Sequence, residues 1–148
     1  MSDYRVLDID NVARIGLMYI DGDRLENILI EKLGHTDYDF VNFNVVKKAV
    51  MKLEKINPEL ALIAEVWQQR ADNEDVVVPV VAGRALPIEG SRRRWINQEM
   101  KSVFESGSSQ IFKRENDVVS YYYPIKNSDA DIVGVLELIS GVKEANDI

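Results

Sequence analysis

Arg92-Arg93-Arg94-Trp95 is the densest run of chemically capable side chains in the sequence. A guanidinium presents paired donors in a fixed fork that matches a carboxylate, and an indole beside it can wall a pocket and donate one hydrogen bond. On a helix the three arginines point in different directions, so one or two at most face a common ligand. The competing reading is a solvated basic surface that offsets the acid excess. Tyr121, Tyr122 and Tyr123 form a second set. Alternation along a strand puts Tyr121 and Tyr123 on one face and Tyr122 on the other, either as walls of a cavity or as ordinary core packing. Trp67 carries the same two readings.

Other chemistries lack their residues or their spacing. The chain has no cysteine, which excludes disulfides, thiolate metal sites and cysteine nucleophiles. His35 is the only histidine, and no His/Glu or His/Asp spacing of the zincin type accompanies it, so it reads as a surface or cap residue. Asp21 and Asp23, with Glu26 beyond, lack the twelve-position oxygen pattern of a calcium loop and read as an acidic helix break. Gly83 and Gly90 have neither the spacing nor the following Lys-Ser/Thr of a phosphate loop, and no Gly-x-Ser-x-Gly elbow occurs. The sequence therefore predicts no catalytic residues, no metal and no cofactor.

Charge narrows the partners. With 18 basic and 25 acidic side chains in 148 residues, the net charge of −7 repels phosphate backbones and anionic lipid surfaces, which argues against nucleic acid. Apolar runs stay far below the ~20 residues of a membrane span, so membrane attachment would need spans outside this sequence.

The elements that must position these residues follow from periodicity. Asp10-Asn11 offers a helix start, and Val12, Ile15, Met18 or Tyr19, Leu25, Ile28, Leu29 and Leu33 follow at three-and-four spacing to Gly34, predicting a helix over about 10–33 with a break at Asp21-Gly22-Asp23. Phe43, Val46, Val50, Leu53 and Ile56 predict a second helix over about 39–56, with Lys47, Lys48, Lys52 and Lys55 on its wet side. Asn57-Pro58 stops it. Composition leaves 59–69 open between a helix started by Pro58 and a strand; the turn-like 71–75 and the β-branched 76–82 favour a hairpin. Pro79 cannot donate to a ladder, which places 76–82 at a sheet edge. Ser91 can cap a helix through Arg92, Trp95, Ile96, Met100, Val103 and Phe104, closed by Gly107. The polar strand 109–115, with Lys113 and Arg114, suits the opposite edge. Two further strands, 121–126 and 132–139, flank the turn residues Asn127 to Asp131. The second of them is apolar at both parities except for Glu137, so it belongs in the middle of a covered sheet. The expected fold class is α+β, a single unit spanning 1–148, with a sheet and crossing helix over about 59–140. The polar tail 141–148 would be a frayed end or an exit toward another module.

This order of elements, the wording YYYPIKNSDADIVGVLELI, and the landmarks Ile20-Asp21-Gly22-Asp23-Arg24-Leu25, Asp37-Tyr38 and Ile56-Asn57-Pro58-Glu59-Leu60 resemble single Cache domains, the PAS-like sensing modules of bacterial and archaeal receptors. The resemblance implies a five-stranded antiparallel sheet in order 2-1-5-4-3, two N-terminal helices and one mid-chain helix. It implies a ligand pocket between the sheet and the segment joining the two hairpins. Arg92, Arg94 and Trp95 would then hold the polar end of a small polar or anionic metabolite, with Tyr121, Tyr123 and Trp67 as walls. It further implies an input domain of a receptor of diguanylate cyclase, histidine kinase or chemotaxis-transducer type, placed outside the cytoplasmic membrane; a cytoplasmic location is the alternative. The competing function is a ligand-free homodimerisation module, pairing through Ile15, Met18, Leu25 and Leu29 of the first helix.

Overall fold

Apolar stripes at helical spacing on one set of segments, and strands buried on one or both faces on another, give a sheet with helices on each side. The computed structural model describes residues 2–28, 37–70, 73–82 and 94–141. Leu29, Leu33, Gly34, His35, the turn residues Ala71 and Asp72, the stretch 83–93 with Ser91 and Arg92, and the tail 142–148 lie outside the described residues.

Helix α1 (Ser2–Tyr19) begins earlier than its sequence predicts. Asp10 is not a cap but a mid-helix residue whose carboxylate is engaged by the sheet, while Ile9, Val12, Ala13 and Ile20 form the buried stripe. The break expected at Asp21 is present. Asp21 caps α2 (Gly22–Glu26), its carboxylate accepting from the backbone N–H groups of Asp23 and Arg24 at 3.0 and 3.2 Å. Leu25, expected at a dimer seam, is instead fully buried against Gly134, whereas Ile15 and Met18 face solvent.

Helix α3 (Asp37–Leu53) buries Val46, Val50 and Leu53, and ends before Ile56, which is exposed. Lys48, Lys52 and Lys55 are exposed as expected, but Lys47 is half-buried, and that burial lowers its ammonium pKa. Both readings of 59–69 hold in part. Pro58–Leu60 is one turn of 3-10 helix with proline at its start, Ala61 takes a left-handed conformation (φ 50°), and strand β1 (Ile63–Gln69) follows.

Strand β2 (Val76–Ala82) pairs antiparallel with β1, with a register shift that seats Pro79 opposite Trp67 and Val81 opposite Val66. A bulge is one of the few places where a sheet tolerates a residue without an N–H. Pro79 does not leave β2 outermost, because the two-residue strand β3 (Arg94–Trp95) pairs with Val76 and Val77. The helix expected from Ser91 is therefore corrected: Arg94 and Trp95 are extended, Ile96 donates its N–H to the Asp75 carbonyl at 2.8 Å, and α4 (Gln98–Ser106) starts only at Asn97. The Asn97 carboxamide accepts from the Met100 N–H at 2.7 Å. Gly107 ends the helix in the left-handed region, φ 74°, as its sequence position predicts.

Strands β4 (Gln110–Lys113), β5 (Val119–Lys126) and β6 (Ile132–Ser140) form an antiparallel meander, and β6 also pairs with β1. The sheet order is β3-β2-β1-β6-β5-β4. Without the two-residue β3, the five longer strands stand in the order 2-1-5-4-3. This is the PAS-like α+β arrangement, and it does not single out Cache among PAS-like domains. The strand apolar at both parities is central and buried from Gly134 to Ser140.

Two layers cover the sheet. Helices α1, α2 and α3 pack on one face against Ala64, Val66, Tyr121, Tyr123, Leu136 and Leu138. On the other face Met100 and Val103 of α4 pack against Trp67, Val77, Tyr122 and Val135. Each fully buried side chain of this kind contributes about 1.5 to 3 kcal/mol through apolar area removed from water.

Candidate functional site

The alternation that gives β6 its two apolar faces also turns Glu137 toward α4. Register places Glu65 of β1 and Tyr122 of β5 directly opposite Glu137, so a polar row crosses the three central strands on that face. Glu137 is fully buried. An unpartnered carboxylate at such a position would be prohibitively costly, and this one is surrounded by donors. The Trp67 indole N–H donates to Oε1 at 2.8 Å, the Ser120 hydroxyl donates to Oε2 at 2.6 Å, and the Arg114 guanidinium reaches Oε2 at 3.4 Å.

Each donor is positioned by the fold. Trp67 lies two residues along β1 from Glu65 and so shares its face, while Ser120 lies opposite Ile139, diagonal to Glu137. Arg114 follows β4 at the turn into β5, where its N–H donates to the Val118 carbonyl at 2.7 Å and Asn116 and Asp117 take left-handed conformations. That turn folds the guanidinium back over the sheet with 31% of the side chain exposed, so the ion pair runs from solvent to a dry interior. The Tyr122 hydroxyl accepts from the Asn97 carboxamide at 2.8 Å, which ties the start of α4 to β5. Apolar Trp67, Val77, Met100, Val103 and Val135 surround these groups, with Phe104 and Phe112 partly buried beside them. A mostly apolar face with a few convergent polar groups is the usual make-up of a small-molecule site.

Among the side chains described, Trp67, Trp95, Tyr121 and Tyr123 do not converge on one pocket. Trp67 is at Glu137. Tyr121 and Tyr123 do share a face, but it is the opposite one, beneath α1 to α3. There the Tyr123 hydroxyl donates to the Asp10 carboxylate at 2.6 Å, and burial, reinforced by that hydrogen bond, holds the phenol protonated well above its ordinary range. The physical reason for the separation is that α4, not the helical layer, covers the face bearing Trp67. Trp95 is 73% exposed on the outermost strand, Arg94 contributes backbone to that strand, and Arg92 lies outside the described residues.

Type and spacing do not single out Glu137, Ser120, Arg114 and Asn97 as site residues, and they bring in Tyr122 only with its two neighbours. One signal was available: Glu137 is the lone charge in a strand otherwise apolar on both faces. Asp21, Asp23 and Glu26 are accounted for by structure, since Asp21 caps α2, Asp23 accepts from the Ser128 N–H and hydroxyl at 2.9 and 3.0 Å, and Glu26 accepts from the Asn127 carboxamide at 3.1 Å. Among the described residues no group of three or more His, Asp or Glu side chains is arranged to hold a metal ion, and no helix is long and apolar enough to cross a membrane.

No protein-family model and no curated protein matches the sequence. Eight chains of known structure match. One is the A. aeolicus nlh2 GAF domain in an inactive state, at 11% identity and a TM-score of 0.46, with 97% of this chain and 85% of that chain covered.

Proposed function

We propose that this chain is a small-molecule-sensing domain of a signalling protein, with the polar end of its ligand held on the α4 face of the sheet beside Glu137. The observation that carries the reading is the fully buried Glu137 carboxylate, oriented by Trp67, Ser120 and Arg114 at the centre of the sheet. Glu137 and Arg114 set an acceptor and a donor side by side, an arrangement that suits a compact polar metabolite bearing both. The described charges at this place, Glu65 and Glu137 of the row against Arg114 beside it, favour such a molecule over a simple anion. The PAS-like strand order supports the same assignment, and the Cache resemblance of the sequence extends it to the input domain of a receptor. A ligand with unequal affinity for two arrangements of this face would shift their populations, which is the elementary step of sensing.

A thermal-shift screen of amino acids, amides, amines and small carboxylic acids tests the proposal. A ligand at a hundred times its dissociation constant adds about 2.7 kcal/mol, which raises the melting temperature of a domain this size by roughly 5 to 10 °C. At least one class is expected to do so, with Glu137→Gln losing most of the shift. Flat melting temperatures across all four classes overturn the reading.

A further inference from the structure

Neighbouring tyrosines on β5 reach through opposite faces of the sheet. On the α4 face the Tyr122 hydroxyl accepts from Asn97 Nδ2 at 2.8 Å, and the same Asn97 carboxamide caps α4 through Met100 N–H at 2.7 Å. On the other face the Tyr123 hydroxyl donates to Asp10 Oδ1, at 2.6 Å, in the middle of α1. Adjacent residues of a strand point to opposite sides, so one peptide unit of β5 links the start of α4 to α1. A second attachment lies at the end of β5. Gly22 of α2 sits so close to the Lys126 carbonyl that an added Cβ would fall 2.0 Å from its oxygen, and Asp23 and Glu26 accept hydrogen bonds from Ser128 and Asn127 in the turn between β5 and β6. Helix α1 and its continuation α2 are thus fixed to the β5–β6 hairpin at two separate places.

We propose that the Tyr122–Tyr123 step of β5 is the relay of this domain: displacement of Asn97 and the first turn of α4, on the face that holds the proposed site, is transmitted through β5 to Asp10 and α1. Its use in signalling rests on the sensory reading given above. The mechanical coupling does not, and it is measurable without any ligand.

Hydrogen exchange followed by mass spectrometry on the intact chain tests it, comparing Tyr122→Phe, Tyr123→Phe and the double variant, each of which removes a hydroxyl and keeps the ring. Loss of one hydrogen bond is expected to speed exchange about fivefold in the helix it holds directly, α4 for Tyr122→Phe and α1 for Tyr123→Phe. Coupling predicts a further rise of about two- to threefold in the helix across the sheet, for both single variants, with the double variant below the product of the two. Asn97→Ser, which keeps a capping oxygen but withdraws the carboxamide from Tyr122, is expected to reproduce the α1 effect of Tyr122→Phe. Peptides from β6 supply the internal reference. Exchange changes confined to the substituted side overturn the relay, as does an equal rise in β6, which marks general loosening. A failed metabolite screen leaves this measurement intact, and a failed coupling measurement leaves ligand binding intact, so the two ideas fall separately.

Discussion

Replacing Glu137 by leucine gives the sharpest test of the site as described. The side chain is fully buried, and the Trp67 indole N–H and the Ser120 hydroxyl, both on buried residues, would lose the acceptor they now share. Each buried donor left without a partner costs about 1 to 3 kcal/mol, while the partly exposed Arg114 can turn to water at small cost. Leucine fills nearly the same volume and recovers some apolar contact, so the net loss is roughly 2 to 5 kcal/mol against a total stability of about 5 to 15 kcal/mol. Glu137→Gln keeps one acceptor for Trp67 and presents its amide nitrogen to Ser120, whose hydroxyl can reverse, but sets donor against donor at Arg114; a loss of about 1 to 2 kcal/mol follows. The assay is urea unfolding at constant slope. The diagnostic variant is Glu137→Leu combined with Trp67→Phe and Ser120→Ala, which removes the stranded donors and should recover more than half of the loss despite the smaller ring. A Glu137→Leu protein as stable as the parent, or a triple variant no better than the single one, refutes the reasoning.

Two further outcomes follow from the helical face. Gly22→Ala places a methyl carbon 2.0 Å from the Lys126 carbonyl oxygen and 2.6 Å from its carbon, and backbone cannot step aside as a flexible side chain would. The clamp between α2 and the hairpin turn must open, for a loss of about 1 to 3 kcal/mol read as a fall in melting temperature; an unchanged melting temperature would contradict the packing. Burial and the Asp10 hydrogen bond raise the Tyr123 pKa, so above about pH 10 the unfolded chain releases a phenol proton that the folded chain retains. The stabilisation is therefore complete below that pH and declines as pH rises beyond it. Tyr123→Phe should show a shallower alkaline decline than the parent, the remaining tyrosines supplying a common background, and identical curves would count against the raised pKa.

Local signals predicted local structure well. The two-sided apolarity of 132–139 placed β6 in the centre, Asn127 supplied its turn by accepting from the N–H groups of Asp129 and Asp131, and Gly107 ended α4. Errors arose where a local signal competed with a distant partner. Asp10 has the residue type of a cap, but its carboxylate engages Tyr123, which lies 113 positions away. Residues 94 and 95 sit in a run that is acceptable in a helix, yet pairing with Val76 and Val77 extends them. The tyrosine alternation was legible and its consequence was not. Period two tells which side chains share a face, but which helix lies over that face is decided by long-range packing, and here it divides Tyr121 and Tyr123 from Trp67.

The same distinction bears on Glu137. A central strand covered on both sides is built most cheaply from apolar residues, and replacing a buried ion pair together with its partners by well-packed apolar groups is often neutral or stabilising. Folding alone therefore does not account for a carboxylate at the middle of β6, oriented by Trp67 of β1, Ser120 of β5 and Arg114 of the turn between β4 and β5. Such an arrangement fixes a charged group in one direction within an apolar setting, which is the preorganisation that small-molecule recognition uses. On the reading proposed above, a ligand contact would supply the reason that packing lacks. The tyrosine step on β5, the strand paired with β6 at this point, gives that contact a route to α1.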